Sequence, residues 1–109
     1  MKDDRIYVSH IMEAIADIKE MTAGMDEQSF MVNKAVRLAV VKSLEIVGEA
    51  SKNVSETFRC KNPKIPWSDI IKMRDKTVHF YFGINYHMVW EVVERDLPVL
   101  EKELAESLK

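Results

Sequence analysis

The sequence predicts an all-α fold, an up-and-down bundle of the four-helix type with one short extra helix. Three observations lead to this prediction. Only three glycines and three prolines occur in 109 residues, which leaves few turns and disfavours many short strands. Apolar residues recur at spacings of three and four instead of alternating. Hydrophobic residues make up 47% and charged residues 31%, the balance of a chain that folds around a core.

The length corresponds to one domain, residues 1–109. Apolar stripes this broad on a small chain predict that a second copy covers one face, so we expect a homodimer. The longest uncharged run, residues 77–90, is too short to span a bilayer, and the charged N-terminus does not resemble a signal peptide. Together with a single cysteine, Cys60, these features predict a reduced, cytoplasmic protein without a membrane segment.

The first helix is predicted over about Asp4 to Ala23, where apolar residues follow helical spacing. Asp3 or Asp4 can cap its start, and Gly24 can end it. Residues 25–30 are predicted to form a single helical turn or a capped loop.

A second long helix is predicted from about Lys34 to Val54, with Asn33 as its cap. Gly48 lies inside it, where glycine costs up to about 1 kcal/mol against alanine. We therefore expect another helix to approach closely there. Residues 55–58 are predicted to extend this helix by a turn.

The segment Cys60 to Trp67 is predicted to be a loop, because two prolines three residues apart forbid a regular helix. Pro66 suits the first turn of a third helix, which should end before Gly83. Asn85 can cap the last helix, and Pro98 must kink or restart that helix.

Charge is unevenly distributed along a chain whose net charge is only −2. Residues 52–76 carry seven basic and three acidic side chains, directly before the uncharged run, which holds five of the nine aromatic residues. The basic block predicts a local phosphate-binding surface, with Lys72 and Lys76 as candidate RNA contacts. A merely solvated face is the alternative.

The stretch RDKTVHFYFG, residues 74–83, holds the candidate reactive groups. Asp75 and His79 are four apart and would share a helix face, where the carboxylate can fix the imidazole tautomer for acid–base work. Arg74 and His79 are five apart, about 140° around an ideal helix, so a shared substrate requires local unwinding or a second subunit.

These groups suffice for RNA cleavage by the neighbouring 2′-hydroxyl without a metal ion. His79 would move the proton and Arg74 would stabilise the negatively charged phosphorus centre. The hydroxyl of Tyr81 could contact the same phosphate, or its ring could stack on a base. The spacing alone leaves open a structural helix end.

A family resemblance favours the reactive interpretation. The residues R-D-K-T-V-H-F-Y resemble the R-x-x-x-x-H-x-Y motif of HepT-like proteins, in the HEPN superfamily of helical-bundle ribonucleases. Residues 44–52 (LEIVGEASK), 65–76 (IPWSDIIKMRDK) and 81–100 also agree, so the resemblance covers nearly the whole chain.

This resemblance implies a metal-independent endoribonuclease toxin of a type VII-like toxin–antitoxin module, with its motif at a homodimer interface. Arg74 and His79 would be the catalytic pair, supported by Asp75. The implied partner is an MntA-like minimal nucleotidyltransferase antitoxin, which adds AMP to Tyr81. The added bulk and negative charge beside the phosphate site would exclude RNA.

Two positions depart from the family pattern. Asp75 stands where the polar residue is often Asn, and Phe80 stands where a small or acidic residue often follows the histidine. These departures favour a first rival, an inactive binding module that serves as substrate of the nucleotidyltransferase. The second rival is a structural helical dimer in which Arg74 caps a helix and His79 fills an interface.

The remaining histidines do not predict a metal site. A metal site in a bundle would use repeated Glu-x-x-His pairs, and the sequence has none. His10 is therefore expected in the core or at an interface. The sequence also lacks a glycine-rich phosphate loop, so we expect neither a metal nor another cofactor.

Overall fold

Helices account for the secondary structure of the residues that this computed structural model describes, 3–72 and 83–108, and these ranges contain no strand. The helices are α1 (Asp4–Thr22), α2 (Glu27–Val32), α3 (Lys34–Asn53), α4 (Glu56–Lys61), α5 (residues 67–72), α6 (Tyr86–Glu91) and α7 (Leu97–Ser107), with a π turn (Val92–Asp96) between the last two. The all-α prediction is confirmed.

The two long helices α1 and α3 form the most extensive contact among the described elements. The buried face of α1 follows helical spacing and consists of Val8, Ile11, Ala14, Ile15 and Ile18. On α3, Gly48 is buried within a face that includes Leu44 and Val47. The close approach of another helix at Gly48 stays a prediction.

The start and end of α1 are set by local bonds. The side chain of Asp3 accepts from the backbone N–H of Arg5 at 2.9 Å, so Asp3 is the cap. Gly24 has a φ of 77°, a conformation that favours glycine, and it follows the last turn. The predicted first helix is thus confirmed to within one residue.

The short helix α2 begins with a reciprocal capping box. The side chain of Asp26 accepts from the Ser29 N–H at 2.8 Å, while the Asp26 N–H donates to Ser29 Oγ at 3.0 Å. At its end, Asn33 caps α3 by accepting from the Val36 N–H at 3.0 Å. The predicted turn and cap are confirmed, although α2 extends to Val32.

The C-terminal helix accommodates Pro98 by a π turn. The backbone N–H of Leu97 donates to the carbonyl of Val92, five residues earlier, instead of four. Proline has no N–H, and its ring clashes with the carbonyl four residues before it, so a widened turn relieves that clash. Asn85 caps the start of α6 by accepting from the Met88 N–H at 3.1 Å, as predicted.

One core joins these elements. Phe30 of α2 is fully buried and packs on Trp90 of α6, with ring centroids 5.0 Å apart. Leu100 and Leu104 bring α7 into the same cluster as α1 and α3. None of the helices in the described ranges is long and apolar enough to cross a bilayer.

His87 links α2 to α6 at the surface. Its Nδ1 lies 2.8 Å from Glu27 Oε2, and its Nε2 lies 2.7 Å from Glu91 Oε1. The hydrogen bond that His87 donates to Glu27, then the charges of Glu27 and Glu91, raise the pKa of His87 above its ordinary value. The protonated ring can donate to both carboxylates at once.

We expect the stabilising effect of His87 to depend on pH. A raised folded-state pKa contributes stability that is fully present below the unfolded pKa of about 6.5 and is lost as pH rises through the folded value. Urea unfolding of the parent and His87→Gln should therefore differ most between about pH 5 and 6.5, where the glutamates remain ionised. His10→Gln is the control, because His10 makes no such ion pair among the described residues. A parent-to-variant difference that grows above pH 8 would contradict this assignment.

Candidate functional site

The predicted reactive segment lies outside the described residues. This applies to Arg74, Asp75, Lys76, His79 and Tyr81, whose assignments therefore remain predictions. The structure describes the chain on both sides of them, from α5 up to Lys72 and again from Gly83.

The N-terminal flank begins with α4, which is a separate helix and not an extension of α3. Val54 ends α3 with an extended backbone, and Ser55 caps α4 by accepting from the Phe58 N–H at 3.1 Å. Asp4 fixes this break, because its carboxylate accepts from the Ser55 N–H at 2.8 Å and from Ser55 Oγ at 2.7 Å. The predicted extension by a turn is wrong, since a bond to the start of α1 redirects the chain.

The loop between α4 and α5 is shorter than predicted. Cys60 is still helical and Trp67 already begins α5, so the loop is confined to residues 62–66. The indole Nε1–H of Trp67 donates to the Asn62 carbonyl at 3.1 Å. The Trp67 ring also meets Phe58 edge to face, with centroids 6.2 Å apart. These contacts set the angle between α4 and α5.

An open groove of about 490 Å³ lies between α4 and α5. Its lining residues combine two cations and one carboxylate with apolar and small polar side chains: Glu56, Arg59, Cys60, Trp67, Ser68, Ile71 and Lys72. Lys72, predicted as an RNA contact, is exposed and lies two residues before Arg74 in the chain. The groove therefore includes the last described residue before the predicted reactive segment in the chain.

Arg59 was not singled out by the sequence analysis, although it belongs to the basic block. It is partly buried, and its Nε is buried with no hydrogen-bond partner in the described part of the chain. Its position in the groove depends on the break at Ser55 and on the turn at residues 62–66, neither of which periodicity reveals. The sequence feature that could have drawn attention to Arg59 was its place in the basic block.

Asp96 in the π turn has a perturbed carboxyl group. Burial raises the pKa of Asp96 above its ordinary value, and the negative charge of Asp69 on α5 raises it further. Both effects favour the protonated form of this carboxyl group.

His10 is exposed on α1, so its predicted core position is wrong. Its neighbour Ile11 is fully buried, and adjacent helix positions point about 100° apart. An interface position for His10 stays a prediction. In residues 3–72 and 83–108, no group of three or more His, Cys, Asp or Glu side chains could hold a metal ion.

Comparison with known proteins identifies a family model that matches residues 11–107 and is described as "Ribonuclease HepT-like". The match covers nine-tenths of the chain and includes the whole reactive segment. No solved structure matches the chain.

Several curated relatives are similar over almost their full length. A "Putative RNase" of Caldanaerobacter subterraneus subsp. tengcongensis is 41% identical over 109 residues, which are 100% of this chain and 97% of the relative. A "Putative RNase" of Methanocaldococcus jannaschii is 41% identical over 99% of this chain and 89% of its own length. The "Probable ribonuclease HepT" of Thermococcus cleftensis is 41% identical over 87% of this chain and 86% of its own length.

Proposed function

Because the chain belongs to the HepT-like ribonuclease family, we propose that it is a metal-independent endoribonuclease and the toxin of a type VII-like toxin–antitoxin module. One observation carries the proposal. The family match runs through residues 11–107 and so includes Arg74, His79 and Tyr81 at the spacing of the motif. The names of the relatives, "Putative RNase" and "Probable ribonuclease HepT", support ribonuclease activity in general.

The proposed reaction is transesterification at an RNA phosphodiester. The 2′-oxygen attacks phosphorus, neutral His79 accepts the 2′-hydroxyl proton, and the new 2′-O–P bond forms as the P–O5′ bond breaks. The imidazolium returns the proton to the leaving 5′-oxygen, which leaves a cyclic phosphate. Arg74 stabilises the additional negative charge on the phosphorane oxygens. Asp75, four residues before His79, suits a carboxylate that orients the ring.

We propose that two such chains form a homodimer of four-helix-type bundles with the motif at their interface. The physical support is apolar surface that the isolated chain leaves exposed. Leu38 is 53% exposed and Ile46 is 43% exposed, both on α3, and Val32 at the end of α2 is 80% exposed. A second copy would remove apolar surface of this kind from water.

Cleavage of total RNA by the purified protein in EDTA tests the proposed activity, with His79→Ala as the matched control. We expect cleavage by the parent alone. Equal cleavage by both proteins would attribute the activity to contamination and contradict the proposed site.

The binding-module alternative is favoured by Asp75 and Phe80, which depart from the family pattern. Asp75 places a negative charge where a phosphate must approach, and Phe80 removes a carboxylate that could contact the histidine or the partner. Under this alternative neither protein cleaves RNA, while the chain still serves as substrate of the nucleotidyltransferase.

We expect Tyr81→Phe to retain RNA cleavage but to escape AMP addition, because phenylalanine lacks the acceptor hydroxyl. Intact-mass spectrometry of the protein co-expressed with its nucleotidyltransferase partner measures the modification. Tyr86→Phe is the control, since it removes a hydroxyl outside the motif. Added AMP mass on Tyr81→Phe at the parental level would exclude Tyr81 as the acceptor.

A further inference from the structure

We propose that the α4–α5 groove binds the phosphate backbone of single-stranded RNA through Arg59 and Lys72, and so positions the strand for the reactive segment. This inference rests on the proposed ribonuclease function and adds to it a binding site for the substrate beside the motif. It also assigns a role to Arg59, which the motif does not include.

The state of Arg59 is the first argument. Its side chain is partly buried and lines the groove, and its Nε is buried with no hydrogen-bond partner among the described residues. A buried donor left unsatisfied destabilises the folded chain, and the effect is larger when the group is charged. Guanidinium groups match phosphate oxygens in two parallel hydrogen bonds, so Arg59 suits a phosphate that enters the groove.

The charge around the groove is the second argument. Residues 52–72 carry five basic and two acidic side chains. Two of the basic side chains, Arg59 and Lys72, line the groove, and Glu56 is the one acid among its described lining residues. Glu56 also lies in the first turn of α4, where a negative charge is favourable to the helix itself. The remaining positive charge favours an anionic strand.

The apolar lining of the groove favours single-stranded RNA. Trp67 and Ile71 supply apolar surface to the same groove as the two cations. An apolar lining with basic side chains suits a strand whose bases are unstacked, because the bases offer apolar faces and the backbone offers phosphates. A paired duplex would present mainly its backbone and leave this apolar lining uncovered.

The groove and the motif are close together in the sequence. Lys72 precedes Arg74 by two residues, which span at most about 7 Å. The joint between α4 and α5 is held by the Trp67 hydrogen bond to Asn62 and by the Phe58 contact. A strand held at Arg59 and Lys72 would therefore be bound by residues that closely precede the motif in the chain.

Binding of a fluorescein-labelled single-stranded RNA, measured by anisotropy over a series of salt concentrations, tests this proposal. The probe carries 2′-O-methyl groups throughout, so the attack by the 2′-oxygen is blocked and the parent protein can be used. We expect Arg59→Met and Lys72→Met each to weaken binding about tenfold, the effect of losing one charge-assisted hydrogen bond. Each should also lower the slope of log affinity against log salt by about 0.7.

Lys34→Met is the matched control, because it removes one exposed positive charge at the far end of α3. Arg59→Lys keeps the charge and should retain the salt slope while losing part of the affinity. Circular dichroism verifies that each variant is folded. If Arg59→Met does not fold, the exposed Lys72 carries the same test.

Two outcomes would overturn the groove as the RNA site. The first is binding by Arg59→Met and Lys72→Met that matches Lys34→Met in both affinity and salt slope. The second is unchanged RNA binding with lost binding of the nucleotidyltransferase, which would make the groove a protein-docking surface. The cleavage assay in EDTA is independent of both, so parental cleavage would leave the proposed function standing when the groove fails.

Discussion

We expect purified His79→Ala to cleave RNA about 10²- to 10⁴-fold more slowly than the parent, because the side chain proposed to accept and return the proton is removed. The cleavage rate of Arg74→Ala should fall by about 10²- to 10³-fold, the effect of removing one donor that stabilises charge in a transition state. The double variant should be little worse than His79→Ala, because residues that act as one unit are not additive. Single-turnover cleavage of a defined RNA measures all three rates.

The same substitutions should abolish growth arrest when the protein is expressed without the proposed antitoxin. His10→Ala is the control, since it removes an exposed imidazole from α1 and not from the motif. Circular dichroism and sedimentation establish that the variants keep their helices and their assembly. Growth arrest by Arg74→Ala or His79→Ala at the parental level would refute the catalytic pair.

Phe30→Ala is expected to cost about 3–5 kcal/mol of unfolding free energy, the usual effect of truncating a fully buried aromatic residue. Phe30 is fully buried, and its ring packs on Trp90 across the α2–α6 contact. The loss is large against a total stability of about 5–15 kcal/mol for a domain. Urea unfolding followed by circular dichroism measures it, at equal protein concentrations because an oligomer gains stability by mass action.

Met31→Ala is the neighbouring control, because its side chain is 40% exposed and its loss should change stability by no more than about 0.5 kcal/mol. Phe30→Leu gives a smaller, graded loss if Phe30→Ala does not fold. Equal losses for Phe30→Ala and Met31→Ala would show that α2 is not anchored through Phe30.

Helix boundaries set by local bonds were predictable. Asp3, Asn33 and Asn85 each cap a helix with a bond that spans two or three residues, so the signal lies within one turn of sequence. The break at Ser55 was not predictable, because the bond that fixes it comes from Asp4, 51 residues earlier. The π turn is intermediate, since Pro98 predicted a disturbance but not its form.

The candidate functional residues also differ in how far the sequence predicted them. Arg74, His79 and Tyr81 were predicted through their resemblance to a family motif that spans eight consecutive residues, and their roles stay predictions. The exposure of His10 depended on which face of α1 met α3, which a stripe of apolar residues left ambiguous.

The sequence by itself determined the helical class, the caps and the family motif, because each depends on residues close together in the chain. Tertiary structure alone decided which basic residues share a groove. Arg59 and Lys72 are 13 residues apart, and the turn locked by Trp67 and Asn62 brings them to one opening. Long-range hydrogen bonds and packing fix such a turn, and neither leaves a periodic pattern in the sequence.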